Sequence, residues 1–357
     1  MLRVTQEDVA RKARVHRTTV GLALRGHPRI PEKTRERVRR VCARLGYSPD
    51  PALTALAAYR GKKRPESFHA VLAWVTNWDT SDGWRRYSRY FSEIFEGASA
   101  EARLHGFRLE EFWLSEPGIG RARFNQILRA RGITGLLFAP QQERAVELDF
   151  DLGGFSAVST SLSVSKPCMH TLAPDQYRQA RMAARQLLAS GCRRIGLVYK
   201  RQDDENVERQ VSSGVLGLLR DQRHGGKVPP LLLEENPTAG DVFPWVKRHR
   251  PDGIVTADYY RLDDFLKKEG LRCPMDIQLS SLTLTPGPWR KHSGIDQQPR
   301  LIGSEAIKVL VGMIYRNETG PLQHPTRTLI EGVWVRGQTT RLPGCKKKRI
   351  SAASFRQ

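Results

Sequence analysis

Apolar residues recur every three to four positions over the first 48 residues. From His69 they give way to short β-rich runs alternating with helical stretches. Such a switch of period calls for a small helical module followed by an α/β domain. Thr5 is placed to cap a first helix of about Gln6 to Ala13, with Asp8 positioned to return the contact and Val9 and Ala13 on one apolar face. After the tight connection Arg14-Val15-His16, the run from Arg17 to Leu24 makes a second short helix with Val20, Ala23 and Leu24 inward. Arg25-Gly26-His27-Pro28 ends it. A third helix begins near Pro31 and carries Thr34, Val38, Val41 and Leu45 at helical spacing before Gly46 stops it. Three helices with a tight first turn read as a helix-turn-helix.

Charge points the same way. The chain carries 59 Lys/Arg against 37 Asp/Glu, a net +22, and residues 1–65 alone hold 17 against 5, or 17 − 5 = +12. A concentrated basic module is what displaces counterions from phosphates. A helix-turn-helix lays the start of its second helix along base edges in the major groove, which makes Arg17, Thr18 and Thr19 the candidate readers. An arginine fork pairs with guanine O6 and N7, and threonine offers a hydroxyl and a methyl. Thr5, Arg25 and Arg29, near helix ends, suit phosphate contacts that fix register.

The runs Val4-Thr5-Gln6-Glu7-Asp8-Val9-Ala10, Thr19-Val20, Thr34-Arg35-Glu36-Arg37-Val38 and Leu45-Gly46-Tyr47-Ser48-Pro49 together resemble the lactose-repressor (LacI) family of bacterial transcription regulators. The resemblance is dense over residues 4 to 60 and weak beyond. It implies an N-terminal all-α, lambda-repressor-like helix-turn-helix domain joined to an α/β periplasmic-binding-protein-like type I core, whose two parallel-sheet lobes exchange strands three times. It also implies a homodimer on a palindromic double-stranded DNA operator. Asp50 and Pro51 start a further helix former, Ala52 to Ala57, too short to persist alone in water. Resemblance makes it a hinge helix that orders over the operator, with Leu56 wedged into a minor-groove base step and Leu53 packed across the dimer. Departures stand beside the matches. Arg14 replaces the usual glycine of the turn, and Gly21 and Leu22 replace a common serine and arginine, so Leu22 joins the DNA-facing set while the operator sequence stays open.

The expected divisions are a head at 1–48, a hinge helix and basic linker at 49–65, an effector-binding and dimerisation core at 66–345, and a basic tail at 346–357. Lobe 1 is expected at about 66–167 plus 299–323, and lobe 2 at about 168–298 plus 324–345. Strands are expected at His69–Thr76, Leu109–Trp113, Gly135–Ala139, Ala157–Ser161, Arg194–Tyr199, Leu231–Leu233, Gly253–Thr256 and Gln278–Leu282. Helices fall at Ser88–His105, Arg121–Arg131, Tyr177–Ser190 and Glu208–Arg220. Open parallel sheets bind ligands at strand carboxyl ends, so the cleft between lobes is the natural site for a small-molecule effector, a sugar or derivative among the candidates. Resemblance places Arg209, Asp258 and Gln297 at effector-contact positions. The stretch after the first strand adds Asn77, Asp79 and Trp84 as polar anchors and a stacking face, whereas Trp74, within the strand, reads as packing. An aspartate usual after the strand at Gln278 is missing, with Thr283 nearby, which departs from a standard sugar pocket.

No metal-spaced Cys/His cluster, P-loop, nucleophile elbow or HExxH motif occurs, so neither enzyme activity nor a cofactor is expected. The five cysteines are scattered, as in a reduced protein, and no apolar run reaches membrane length. The first residues carry acids where an export signal is basic, so a cytoplasmic protein is expected. The rival reading is a cytoplasmic solute-binding or carbohydrate-processing protein with an accessory basic head.

Overall fold

Three helices form where the apolar spacing puts them: α1 (Gln6–Ala13), α2 (Arg17–Leu24) and α3 (Glu32–Leu45). Val9, Ala10, Ala13, Val20, Ala23, Val38 and Cys42 make their common core, with Val15, Leu24, Ile30, Val41 and Leu45 packed around it. Acids in the first turn of α1 and bases in its last turn both favour the helix dipole. The α1–α2 turn is a Schellman motif. Val15 N–H donates to Ala10 O at 3.1 Å and Arg14 N–H to Arg11 O at 3.3 Å, with Arg14 in the left-handed region at φ 51°. Arg14 thus adopts the backbone that a glycine would adopt freely.

The computed structural model describes residues 6–24, 30–45, 70–142, 146–221, 228–257, 259–284 and 291–342, and the chain divides into two units, 1–69 and 70–357. The second unit contains two open sheets. The first lobe is built on β1 (Ala70–Thr76), β2 (Phe107–Trp113), β3 (Gly135–Phe138), β5 (Ser156–Ser159), β7 (His170–Pro174) and β13 (Arg327–Ile330), in the order β13-β7-β5-β3-β1-β2 with all neighbours parallel. The short strands β4 (Val146–Glu147) and β6 (Val164–Lys166) pair separately. The second lobe is built on β8 (Ile195–Lys200), β9 (Leu231–Leu233), β10 (Gly253–Thr256), β11 (Gln278–Ser281), β12 (Gly294–Asp296) and β14 (Val333–Val335), in the order β14-β12-β11-β10-β8-β9, parallel except for β12 with β14. Strands β3, β5, β10 and β11 are buried throughout, as central parallel strands covered on both faces are.

Helices α4 (Gly83–Tyr87), α5 (Arg89–Leu104), α6 (Arg121–Ala130) and α12 (Pro299–Arg316) accompany the first sheet. Helices α7 (Gln176–Ala189), α8 (Arg201–Asn206), α9 (Gln210–Asp221), α10 (Ala239–His249) and α11 (Tyr259–Lys268) accompany the second. Backbones of α5 and α12 approach so closely that a Cβ on Gly303 would lie 2.0 Å from Ile94 O, and one on Gly97 2.0 Å from Arg300 O.

Two expectations are corrected here. The strands at His170–Pro174 and Arg327–Ile330 belong to the first sheet, because Thr171 pairs with both Ser159 and Arg327; the lobe divisions at 167 and 323 therefore fall one strand too early. The chain crosses between lobes at Asp175, between Asp296 and Pro299, and at Glu331–Gly332. The helix expected from Glu208 starts at Gln210, since Glu208 and Arg209 are both left-handed, at φ 57° and 56°.

Candidate functional site

In the head, the first turn of α2 is laid open. His16 caps the helix: its carbonyl accepts from Thr19 N–H at 2.9 Å, and its ring Nδ1 lies 2.8 Å from Thr18 Oγ1. Arg17 and Thr18 are exposed and Thr19 and Leu22 half-buried, while Val20, Gly21 and Ala23 face the core. This helix therefore presents Arg17, Thr18 and Leu22 outward from a support held by α1 and α3. Thr5, Arg25, Arg29, Leu53 and Leu56 lie outside the described residues.

In the two-lobed unit, the carboxyl ends of β1, β3 and β5 are joined by polar side chains. Asn77 N–H donates to Gln141 Oε1 at 3.0 Å, Gln141 N–H to Ser163 Oγ at 2.9 Å, and the hydroxyls of Ser161 and Ser163 are 2.5 Å apart. The Asn77 amide oxygen accepts from Ser115 Oγ at 2.8 Å and from Arg121 Nη2 at 3.3 Å, which fixes Asn77 at the rim. Asp79 is exposed on the loop that follows.

The expected stacking role of Trp84 is overturned. Its side chain is 0% exposed, with ring centroids 5.4 Å from Trp74 and 5.5 Å from Phe95 and Arg85 capping it at 4.6 Å. Trp84 is core, beside the equally buried Trp74. Gln297 is buried too, and its amide donates to Leu282 O at 3.0 Å and Gln176 Oε1 at 3.3 Å, pinning the start of α7 to the end of β11. Arg209 is exposed and pairs with Glu205 at 3.1 Å. Its turn is held by Arg209 N–H on Asp204 O at 2.7 Å, and the buried Asp204 carboxylate accepts from Ser212 N–H at 3.0 Å. Left-handed backbone costs an L residue about 1–2 kcal/mol, so this turn is strained at two consecutive positions. Asp258 lies outside the described residues.

Tyrosines are what the sequence reading missed. Tyr87, at the end of α4, stacks on Phe91 at 5.8 Å with 6° between planes and touches Trp78 at 5.1 Å, leaving its other face open. Burial raises its hydroxyl pKa and Asp203 of the opposite lobe raises it further. Burial also pushes Tyr199 far up, with Asp203 and Asp204 adding, and pushes Tyr90 up, with Asp296 adding. All three phenols stay protonated as donors at neutral pH. Tyr90 Oη is buried without a hydrogen-bond partner among the described residues. Tyr87, Tyr90 and Phe91 stand at helical spacing around the start of α5, a signal present in the sequence but outweighed there by the neighbouring tryptophans.

A three-helix head ahead of two doubly wound lobes crossed three times defines a class of protein, a helix-turn-helix module coupled to a periplasmic-binding-protein-like core. The family model described as bacterial regulatory proteins, lacI family, matches residues 5–50, and that for a periplasmic binding protein-like domain matches residues 184–340. The chain thus joins a head that matches the lacI family of bacterial regulatory proteins to a periplasmic binding protein-like domain. It is 35% identical over 103 residues to the HTH-type transcriptional repressor CytR of Escherichia coli strain K12, which is 29% of this chain and 26% of that protein; the chain thus spans about a quarter of the curated relatives it matches. Two solved structures share the fold. One is the transcriptional regulator CelR–cellobiose complex, at 20% identity and TM-score 0.55, over 94% of this chain and 100% of that one. The other is the lac repressor dimer bound to operator and the anti-inducer ONPF, at 17% identity and TM-score 0.54, over 96% and 100%. Among the described residues no helix is long and apolar enough to cross a membrane, and no group of three or more His, Cys, Asp or Glu is placed to hold a metal.

Proposed function

We propose that this protein is a sequence-specific transcription regulator, acting as a repressor, that binds a palindromic operator as a homodimer in the cytoplasm. The observation that carries the reading is the open first turn of α2, where Arg17 and Thr18 project from a head whose segment bears +12. Arg17, Thr18, Thr19 and Leu22 read bases, while Thr5, Arg25 and Arg29 hold phosphates. Leu53 and Leu56 form the hinge wedge. Gel-shift titration on genomic fragments tests this. Discrete bound fragments that survive rising salt support it, and binding that merely tracks salt on every fragment contradicts it. Leu56→Ala should loosen operator binding much more than non-specific binding, and equal loss in both defeats the wedge.

The inter-lobe cleft is the effector site in this reading. Support comes from Asn77, Gln141 and Ser161 at strand ends of one lobe, and from Tyr87, whose hydroxyl feels the charge of Asp203 of the other. Neutral phenols, amides and hydroxyls beside an open aromatic face suit a hydroxyl-bearing ring such as a sugar, with Arg209 and Asp258 as further grips and Asp79 at the rim. Effector binding alters operator affinity by changing lobe spacing, a coupling of about 1–3 kcal/mol. A thermal-shift panel of sugars and small metabolites on the full chain tests it; a flat response across the panel makes the protein a constitutive binder.

A further inference from the structure

An ion pair ties the two lobes together. Glu208 lies in the turn between α8 and α9 of the second lobe, and Arg327 opens β13 at the edge of the first lobe's sheet. Arg327 Nη1 donates to Glu208 Oε1 and Oε2 at 3.3 and 3.2 Å, and Nη2 to Oε1 at 3.3 Å. This is the forked geometry in which arginine grips a carboxylate most selectively.

Most surface ion pairs contribute little because two long side chains must be immobilised to form them. Glu208 differs in that its backbone is already fixed. It is left-handed, as is Arg209 after it, and the turn is closed by Glu208 N–H on Glu205 O at 3.0 Å, by Arg209 N–H on Asp204 O, and by the buried Asp204 carboxylate on α9. Strained backbone persists only where its surroundings over-determine it, so the carboxylate is offered to Arg327 from a rigid mount.

Other ties between the lobes sit on the crossings themselves. Asp175 N–H and Gln179 Nε2 both donate to Ile330 O, Gln298 Nε2 donates to Glu331 O, and Arg178 pairs with Glu331. These move with the strands that cross. Glu208 belongs to no crossing, so a change in lobe spacing must stretch or shorten its contact with Arg327.

We propose that Glu208 and Arg327 form an ionic latch that sets the spacing of the two lobes. As a regulatory device the latch rests on the cleft being the effector site; as a latch it does not. Because Glu208 shares its turn with Arg209, a ligand that draws Arg209 into the cleft acts on the latch as well.

The test is single-molecule energy transfer on the full chain without ligand, with dyes on unnatural amino acids replacing the exposed Arg123 of the first lobe and Arg248 of the second. Glu208→Gln and Arg327→Gln should each change the ratio of the two lobe spacings about 1.5- to 5-fold, in the same direction. The double variant should change it no further. The swapped pair, E208R with R327E, should return it towards the wild-type ratio, and raising salt to about 0.5 M should reproduce the single-variant shift in the wild type only. No shift, additive shifts, or a swapped pair that folds yet stays shifted would each overturn the latch. A chain that binds no small molecule would leave these readings intact, so failure of the effector reading is a separate result.

Discussion

Arg14 carries a cost that its neighbours explain. The Schellman turn needs a left-handed residue, and arginine fills the place at φ 51° with its side chain in solvent, so exchanging it loses little packing. Arg14→Gly should stabilise the head by about 1 kcal/mol, slowing hydrogen exchange of α1 and α2 amides in the full chain about fivefold. Unchanged or faster exchange would mean that the arginine side chain contributes to folding. The departure at Arg14 was visible in the sequence as a missing glycine, but whether the backbone would still turn left-handed was not. Trp84 teaches the opposite lesson. An aromatic cluster after a strand has one composition whether it lines a cleft or fills a core. What separates the two is the partner, and Phe95, more than a helical turn away in sequence, supplies it.

At the scale of elements, helices and central strands were legible because their apolar periods are strong, and α1, α2 and β10 lie where those periods put them. Strands β7 and β13 were not. One starts in histidine and ends in proline, the other is a four-residue edge strand with three exposed positions, and only the pairing of β7 with β5 and of β13 with β7 assigns them to the first sheet. The α5–α12 contact adds a constraint of its own. Gly303→Ala would drive a methyl into the Ile94 carbonyl and should cost about 1–3 kcal/mol, read as a lower urea midpoint. A neutral result would mean that the helices can part without loss.

Glu93, also on α5, is buried, and burial raises its pKa against the opposing pull of Arg89 and Arg300. The folded state therefore holds this proton more tightly than the unfolded chain. Its contribution to stability is best at acid pH and is lost as pH rises from the ordinary glutamate range through the raised native value. Glu93→Gln should raise the melting temperature at pH 7, with the gain vanishing below about pH 4. A lower melting temperature at pH 7 would show that the Arg89 pair outweighs burial.

At the scale of the molecule, the charge distribution and the two-unit division set a small basic head apart from a larger unit whose lobes are crossed three times among the described residues. That larger unit was readable as a fold because βα alternation is robust to sequence change. The candidate ligand contacts were much less legible, because the hydrogen bonds that hold Gln297 between strand ends and Asn77 at the rim are made only on folding. Tyr87 and Tyr199 feel the charge of Asp203 only once the chain is folded. The head is where the functional reading stands or falls. Operator selection from random duplexes by the full chain, followed by fluorescence anisotropy with the wild type and Arg17→Ala, tests it most directly. Selection should enrich a palindrome, and Arg17→Ala should weaken binding to it about 10- to 100-fold while leaving binding to unrelated duplex nearly unchanged. Failure to enrich any sequence, or an equal loss on selected and unrelated DNA, would contradict the account.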